Sequence, residues 1–329
     1  QGMFEGLYIL QDFPLPKFKP KKLKNMARMF QYCSALTSID LQGFSNVKVE
    51  NMLGAFADCG KLYSIDLTGI NFEFNTNMAE MFWGCQKLET IKWNKINTDT
   101  VMNMSRLFGD CVLLREVDLS SFNTENVVDM HGMFQSCQNL EQIDLRGFKT
   151  SKVTDMSNMF EGCIELSSLD VGGFDTGEVK NMFKMFEFVT VTSLDVSKFD
   201  TSKVENMEDM FSELRNLQKL ELKYFNTQNV KYMGGMFDAN LNLESIEFGR
   251  DFVTDNVIDF QYMFFQCEKL TSIDTSKFKT ENVDDMSFMF KDCLSLDSVE
   301  ISSFDTSKVT DMSYMFEGCH SLSSIDISD

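Results

Sequence analysis

Aligned on one recurring phenylalanine, the apolar and polar positions of this chain repeat with a period of 26 residues. Phe4, Phe30, Phe56, Phe82, Phe108, Phe134, Phe160, Phe186, Phe211, Phe237, Phe264, Phe290 and Phe316 mark thirteen copies, with one step of 25 and one of 27. Each copy carries two periodicities. Met312, Met315, Phe316 and Cys319 fall at the i, i+3, i+4, i+7 spacing of a short amphipathic helix, behind the capping residue Asp311. The capping slot is Asn or Asp in eleven of twelve copies, from Asn25 to Asp311, with Tyr232 the exception, and a short side-chain acceptor there satisfies N–H groups of a first turn. Leu322, Ile325 and Ile327 then follow L-x-x-I-x-I, which predicts a strand with one buried face. A strand this short cannot stand alone, so neighbouring copies must pair in parallel around a shared core. The predicted fold is an α/β solenoid of about thirteen 26-residue units, with parallel strands on one face and short helices on the other.

The period runs through the chain without a linker, so a single continuous domain is expected where length alone would suggest two. The missing residue falls between Phe186 and Val191 and the extra one between Phe248 and Phe252, both read as loop adjustments. Residues 1–25 differ from the rest. They hold all three prolines, Pro14, Pro16 and Pro20, among Lys17, Lys19, Lys21, Lys22 and Lys24. Proline removes a ladder donor and lysine resists a docking strand, so 1–25 is read as a capping repeat and 26–329 as the tandem array. The last copy is regular and stops at Asp329 directly after its strand, from which the chain is expected to continue past 329 or to have something stacked on that end.

Composition follows from the repeat. Of 23 methionines, eleven stand in the slot of Met26 and Met312, eleven just before the repeat phenylalanine, and only Met102 lies outside; these columns read as deformable core filler. The nine cysteines share one slot, Cys33, Cys59, Cys85, Cys111, Cys137, Cys163, Cys267, Cys293 and Cys319, interrupted by Val189, Leu214 and Asn240. No zinc spacing is present and parallel side chains suit a disulfide poorly, so buried free thiols are expected, with no metal and no cofactor. Thirty Lys and Arg against 50 Asp and Glu give a net charge of −20, which disfavours nucleic acid and anionic membranes as partners. No apolar run is long enough to span a bilayer, so no membrane insertion is expected. His131 and His320 occupy variable slots, and no nucleophile-base-acid trio, phosphate loop or HExxH is present, so the chain reads as no enzyme.

The run VTDMSYMFEGCHSLSSIDIS, preceded by SSFDTSK, resembles the 26-residue repeats of BspA-like leucine-rich-repeat surface proteins, found in bacterial surface proteins and mycoplasma lipoproteins. The resemblance covers nearly the whole chain. It implies a leucine-rich-repeat-like solenoid exposed on a cell surface or outside the cell, with a role in protein-protein or cell-surface recognition and adhesion, and it carries no catalytic signature.

In such an array, function sits on slots that the core does not dictate. Between the inward residues of each strand lies one outward position that is acidic in nearly every copy: Asp40, Asp66, Asp118, Asp144, Asp170, Asp195, Glu221, Glu247, Asp274, Glu300 and Asp326. Stacked about 5 Å apart, like charges cost on the order of 1 kcal/mol per neighbour in water. Serine or threonine recurs two residues earlier and could donate hydroxyls to offset this; alternatively the row binds cations or a basic partner. Lys92 interrupts the row in the copy that holds both tryptophans. Trp83 there, with Phe72 and Phe74 in the preceding loop, replaces residues that are polar or small elsewhere, and the three aromatics make a candidate hot spot with Lys92 at its edge, or else cover an irregular loop. A column of threonines from Thr98 to Thr306 reads as turn-stabilising. The leading expectation is a non-enzymatic recognition protein with a protein or cell-surface macromolecule as partner. Its rival is a structural rod or filament subunit that self-associates end to end.

Overall fold

Each recurring phenylalanine is the centre of two consecutive tight turns. The computed structural model describes residues 1–13, 19–44, 47–93 and 95–325, so Pro14, Pro16, Lys17 and Asp326 lie outside the described residues. Around Phe30, the N–H groups of Met29, Gln31 and Cys33 close back three residues, onto the carbonyls of Met26 (3.0 Å), Arg28 (3.3 Å) and Phe30 (3.1 Å). The alternate N–H groups leave the segment. Met26, Arg28, Phe30 and Tyr32 donate to the carbonyls of Asn51, Leu53, Ala55 and Ala57 in the next copy, at 2.8–2.9 Å. A helix would send all of them four residues back along its own chain.

The backbone angles show the same turns. At every one of the thirteen phenylalanines, the residues two before and two after have φ between 50° and 79°, eight of them glycine and eighteen not. A type II turn needs this left-handed conformation at its third residue. The short helices predicted from the sequence are therefore absent from these segments, and the only helical turn among the described residues is the 3-10 turn Gln42–Phe44. Two stacked four-residue turns bury Met26, Met29, Phe30 and Cys33, which is the same 3-1-3 spacing that an amphipathic helix would bury. A left-handed L-residue costs roughly 1–2 kcal/mol. The hydrogen bonds to the next copy and the burial of Met, Phe and Cys offset that cost.

The capping column keeps its predicted role in a different setting. The Asn25 Oδ1 accepts the Ala27 N–H at 2.8 Å, Asn51 that of Leu53 at 2.9 Å, and Asp285 that of Ser287 at 2.7 Å, an Asx turn that opens the double turn.

The described residues fall into two units, 1–153 with 158–166, and 154–157 with 167–329. In the first, strands β1 (Asp12–Phe13) and β2 (Ser38–Ile39) pair in parallel, as do β3 (Ser64–Asp66) and β4 (Thr90–Lys92). In the second, β5 (Lys219–Leu222) pairs with β6 (Ser245–Phe248) and β7 (Ser272–Ile273) with β8 (Ser298–Val299), again in parallel. In all four pairs the register steps by one period, for example Ser64 opposite Thr90. The strands are shorter than the six residues that the pattern suggests. The extra residue of the 27-residue step is absorbed beside Gly249, where any Cβ would collide with the carbonyl of Lys223.

In each unit the phenylalanines form a stacked column. Rings from Phe4 to Phe160 lie 5.3–6.1 Å apart, and those from Phe186 to Phe316 lie 5.4–6.1 Å apart, with planes tilted by no more than 19°. Two further columns bind copy to copy. Each cysteine donates its thiol to the carbonyl of the phenylalanine one copy back, as Cys59 does to Phe30 at 3.2 Å and Cys293 to Phe264 at 3.0 Å. All nine cysteines are free and eight are buried. The threonine column is buried as well from Thr98 to Thr280. Thr124 Oγ1 donates to the Lys149 carbonyl at 2.9 Å and accepts the Lys149 N–H at 2.7 Å, so one hydroxyl does the work of a peptide group between copies.

Candidate partner-binding face

The outward strand position is exposed in every described copy: Asp40, Asp66, Lys92, Asp118 and Asp144 in the first unit, and Asp170, Asp195, Glu221, Glu247, Asp274 and Glu300 in the second. What orders most of these carboxylates lies two residues on, toward the C-terminus. Asp40 accepts the N–H of Gln42 at 2.9 Å, Asp66 that of Thr68 at 3.0 Å, and Asp118 that of Ser120 at 2.9 Å. In the second unit the same bond joins Asp170 to Gly172, Asp195 to Ser197, Asp274 to Ser276 and Glu300 to Ser302, at 2.9–3.0 Å. The predicted offset from hydroxyls two residues earlier is thus supplied from two residues later, by backbone N–H groups in Asx-type turns.

These bonds favour the charged form. The hydroxyl and N–H of Ser120 hold the Asp118 carboxyl below the usual carboxylate range, and Ser197 and Ser276 do the same for Asp195 and Asp274. The Thr68 N–H lowers Asp66, with a smaller contribution from the charge of Lys92 opposite it in β4. Asp144 is brought down to about 2 by the Arg146 side chain, whose Nε and Nη2 lie 2.9 and 2.7 Å from it. Lys223 is clamped between Glu221 (3.3 Å) and Glu247 (3.0 Å). Arg146 and Lys223 share one slot, two residues after the acid, and their sequence signal is that they are the basic occupants of a column rich in serine and glycine. Asp40 and Asp66 also line a recess of 180 Å³ with Ile39, Leu41, Gln42, Thr68 and Gly69. Among the described residues, no three His, Cys, Asp or Glu side chains converge in a way that could hold a metal ion.

The aromatic hot spot does not assemble as predicted. Phe72 is 3% exposed, because it occupies the slot of Thr98 and Thr124, which faces inward. A polar residue at that slot elsewhere in the repeat suggested a surface position, whereas the threonines are interior staples. Phe74 is exposed, and the Lys48 ammonium sits 4.6 Å from its ring centroid, a cation–π contact. Trp83 is half-buried, lies against Gly109 and donates its indole N–H to Asp110. Lys92 belongs to the strand face, alongside Asp66. The face that the structure assembles is therefore the acidic row with Lys92, while Phe74 and Trp83 make separate contacts.

A family profile described as "Mycoplasma protein of unknown function, DUF285" matches four times in overlapping segments, residues 1–93, 76–195, 164–267 and 240–329. A leucine rich cell surface protein from Faecalibacterium prausnitzii is 18% identical, with 99% of this chain and 75% of that chain covered and a TM-score of 0.43. A leucine-rich repeat protein from Bacteroides ovatus is 17% identical over 97% of this chain and 86% of that one, with a TM-score of 0.44. An internalin from Listeria monocytogenes is 11% identical over 98% and 88%, with a TM-score of 0.26. No curated protein is significantly similar to the chain.

Proposed function

Because the chain belongs to the family described as Mycoplasma protein of unknown function, whose profile matches throughout its length, we propose that it is a non-enzymatic, surface-exposed recognition protein of the BspA-like leucine-rich-repeat type, and that its acidic strand face takes a cationic segment of a protein partner. The observation that carries this reading is the row of exposed carboxylates, eight of them immobilised by the N–H two residues on and Glu221 and Glu247 by Lys223. Fixed acceptors lose little conformational freedom when a partner's ammonium or guanidinium groups dock on them. A net charge of −20 adds long-range attraction for the same partner class and speeds encounter. Individual exposed pairs contribute about 0.2–1 kcal/mol, so affinity must come from engaging several at once. Placement outside the cell and adhesion are part of this proposal and rest on the family resemblance.

The test is calorimetric titration of the full chain with a lysine- and arginine-rich peptide, and separately with calcium. The triple variant Asp40→Asn, Asp66→Asn, Asp118→Asn keeps the turn acceptors and removes three charges. Binding of the peptide, weakened about tenfold in the triple variant and by added salt, supports the proposal. No heat with the peptide, or equal affinity in the variant, overturns it. Binding of calcium alone would reassign the row to ions.

A further inference from the structure

Three independent features coincide in two successive turns of the second unit, 182–189 and 207–214. The first is the loss of the thiol donors. Val189 and Leu214, both fully buried, stand where Cys267 and Cys293 donate to the carbonyls of Phe237 and Phe264 at 3.1 and 3.0 Å. The column resumes at Asn240, whose Nδ2 reaches the carbonyls of Phe211 (2.8 Å) and Phe237 (2.9 Å).

The second is backbone strain held by charged rather than stacked side chains. All four left-handed positions of these turns, Lys184, Phe188, Asp209 and Glu213, hold non-glycine residues, with φ between 53° and 61°. Two copies further on, the equivalent non-glycine positions are covered by a ring stack, Tyr262 on Phe288 at 4.7 Å and Phe288 on Tyr314 at 5.1 Å. At these positions Lys184 and Asp209 instead form an ion pair, and the Lys184 ammonium lies 5.4 Å from the Phe183 ring centroid.

The third is charge. Glu187, Asp209, Glu213 and Asp238 gather on this side of the unit. Lys184 bridges Glu187 at 3.0 Å and Asp209 at 3.5 Å, and Arg215 pairs with Glu213. Asp209 leans over Gly235, where a Cβ would collide with it. The Oδ1 of Asp238 is buried without a hydrogen-bond partner. Burial, then Asp209, Glu213 and Glu187, push the Asp238 carboxyl up to about 7 against the opposing Ala239 N–H, and the Cys267 thiol faces it from the next copy.

We propose that turns 182–189 and 207–214 are the part of the second unit that opens first, and that repulsion among Glu187, Asp209, Glu213 and Asp238 sets how often they do so. The fold would then contain a local latch, tight in mildly acidic surroundings and loose in alkaline ones. The sign follows from linkage. Asp238 binds a proton more tightly in the closed state than in an open one, where its carboxyl is ordinary. The closed state therefore gains stability as pH falls below about 7 and loses it as pH rises through that value. Between pH 6 and pH 8 the closing equilibrium changes about tenfold.

The experiment is native-state hydrogen exchange on the full chain at pH 6 and pH 8, corrected for intrinsic amide rates and read on turns 182–189 and 207–214 against turns 260–267 and 286–293. Expected are lower protection in the first pair at pH 8 and an approximately tenfold rise at pH 6 in that pair only. Asp238→Asn should abolish the pH step, and Asp209→Asn should shrink it should the first variant fold poorly. Leu214→Cys, which restores a donor, should raise protection without altering the step. Equal protection in all four turns overturns the proposal, as does a pH step that persists in both carboxyl variants.

Discussion

Replacing Thr124 tests how one copy is fastened to the next. Its hydroxyl is fully buried, donates to the Lys149 carbonyl at 2.9 Å and accepts the Lys149 N–H at 2.7 Å. Valine has nearly the same shape but no hydroxyl, so Thr124→Val takes the partner from one buried donor and one buried acceptor. Each such loss costs about 1–3 kcal/mol, giving about 2–6 kcal/mol in all. Thr124→Ser keeps both hydrogen bonds and loses one buried methyl, about 0.8 kcal/mol. Serine should therefore be the milder change, although valine preserves the volume. The assay is urea unfolding followed by tryptophan fluorescence. Both tryptophans, Trp83 and Trp93, lie in the first unit with Thr124, so the signal reports that unit. With a slope of about 2 kcal/mol per molar, the valine midpoint should fall by about 1–3 M and the serine midpoint by less than about 0.5 M. A valine variant as stable as the serine variant would refute the idea that the threonine column substitutes for peptide hydrogen bonds.

Two further substitutions probe the irregular copies. Asn75 stands in the slot of Val101 and Val127, is fully buried, and its Nδ2 has no hydrogen-bond partner, while its Oδ1 accepts the Asn77 N–H at 2.9 Å. Asn75→Val removes the orphan donor at the expense of that one bond, so the same urea midpoint should rise, by about 0.5 M for a gain of about 1 kcal/mol. Arg146→Ala should raise the Asp144 carboxyl from about 2 toward the ordinary range, with the residue-146 N–H still holding part of the lowering, as followed by an NMR titration of its side chain. Because the folded-state value is lowered, this pair stabilises the fold above the unfolded carboxylate value, and its contribution is lost as pH falls toward 2. An unmoved Asp144 titration would show that Arg146 does not hold it.

How far the sequence reaches differs from column to column. The phenylalanine period, the buried cysteines and methionines and the exposed acidic row all follow from which slots are apolar, because every copy must bury the same side against its neighbours. The Asx caps follow from Asn and Asp before a turn, whichever kind of turn it is. Phe72 departs from its expected place at the surface because of its slot. Polar residues at a slot suggest solvent, but a hydroxyl that both donates and accepts can be wholly interior.

The amino-acid pattern alone determined that this chain is an array of 26-residue copies and which side of each copy is buried. Side-chain periodicity records only facing, and a 3-1-3 spacing faces inward equally well from a helix or from two stacked turns. Only the tertiary structure decided between them, because the choice rests on where the N–H groups go, and half of those in each double turn find their acceptors in the neighbouring copy. The same holds for the Asp238 cluster, whose members are scattered from 187 to 238 and meet only because successive copies lie side by side.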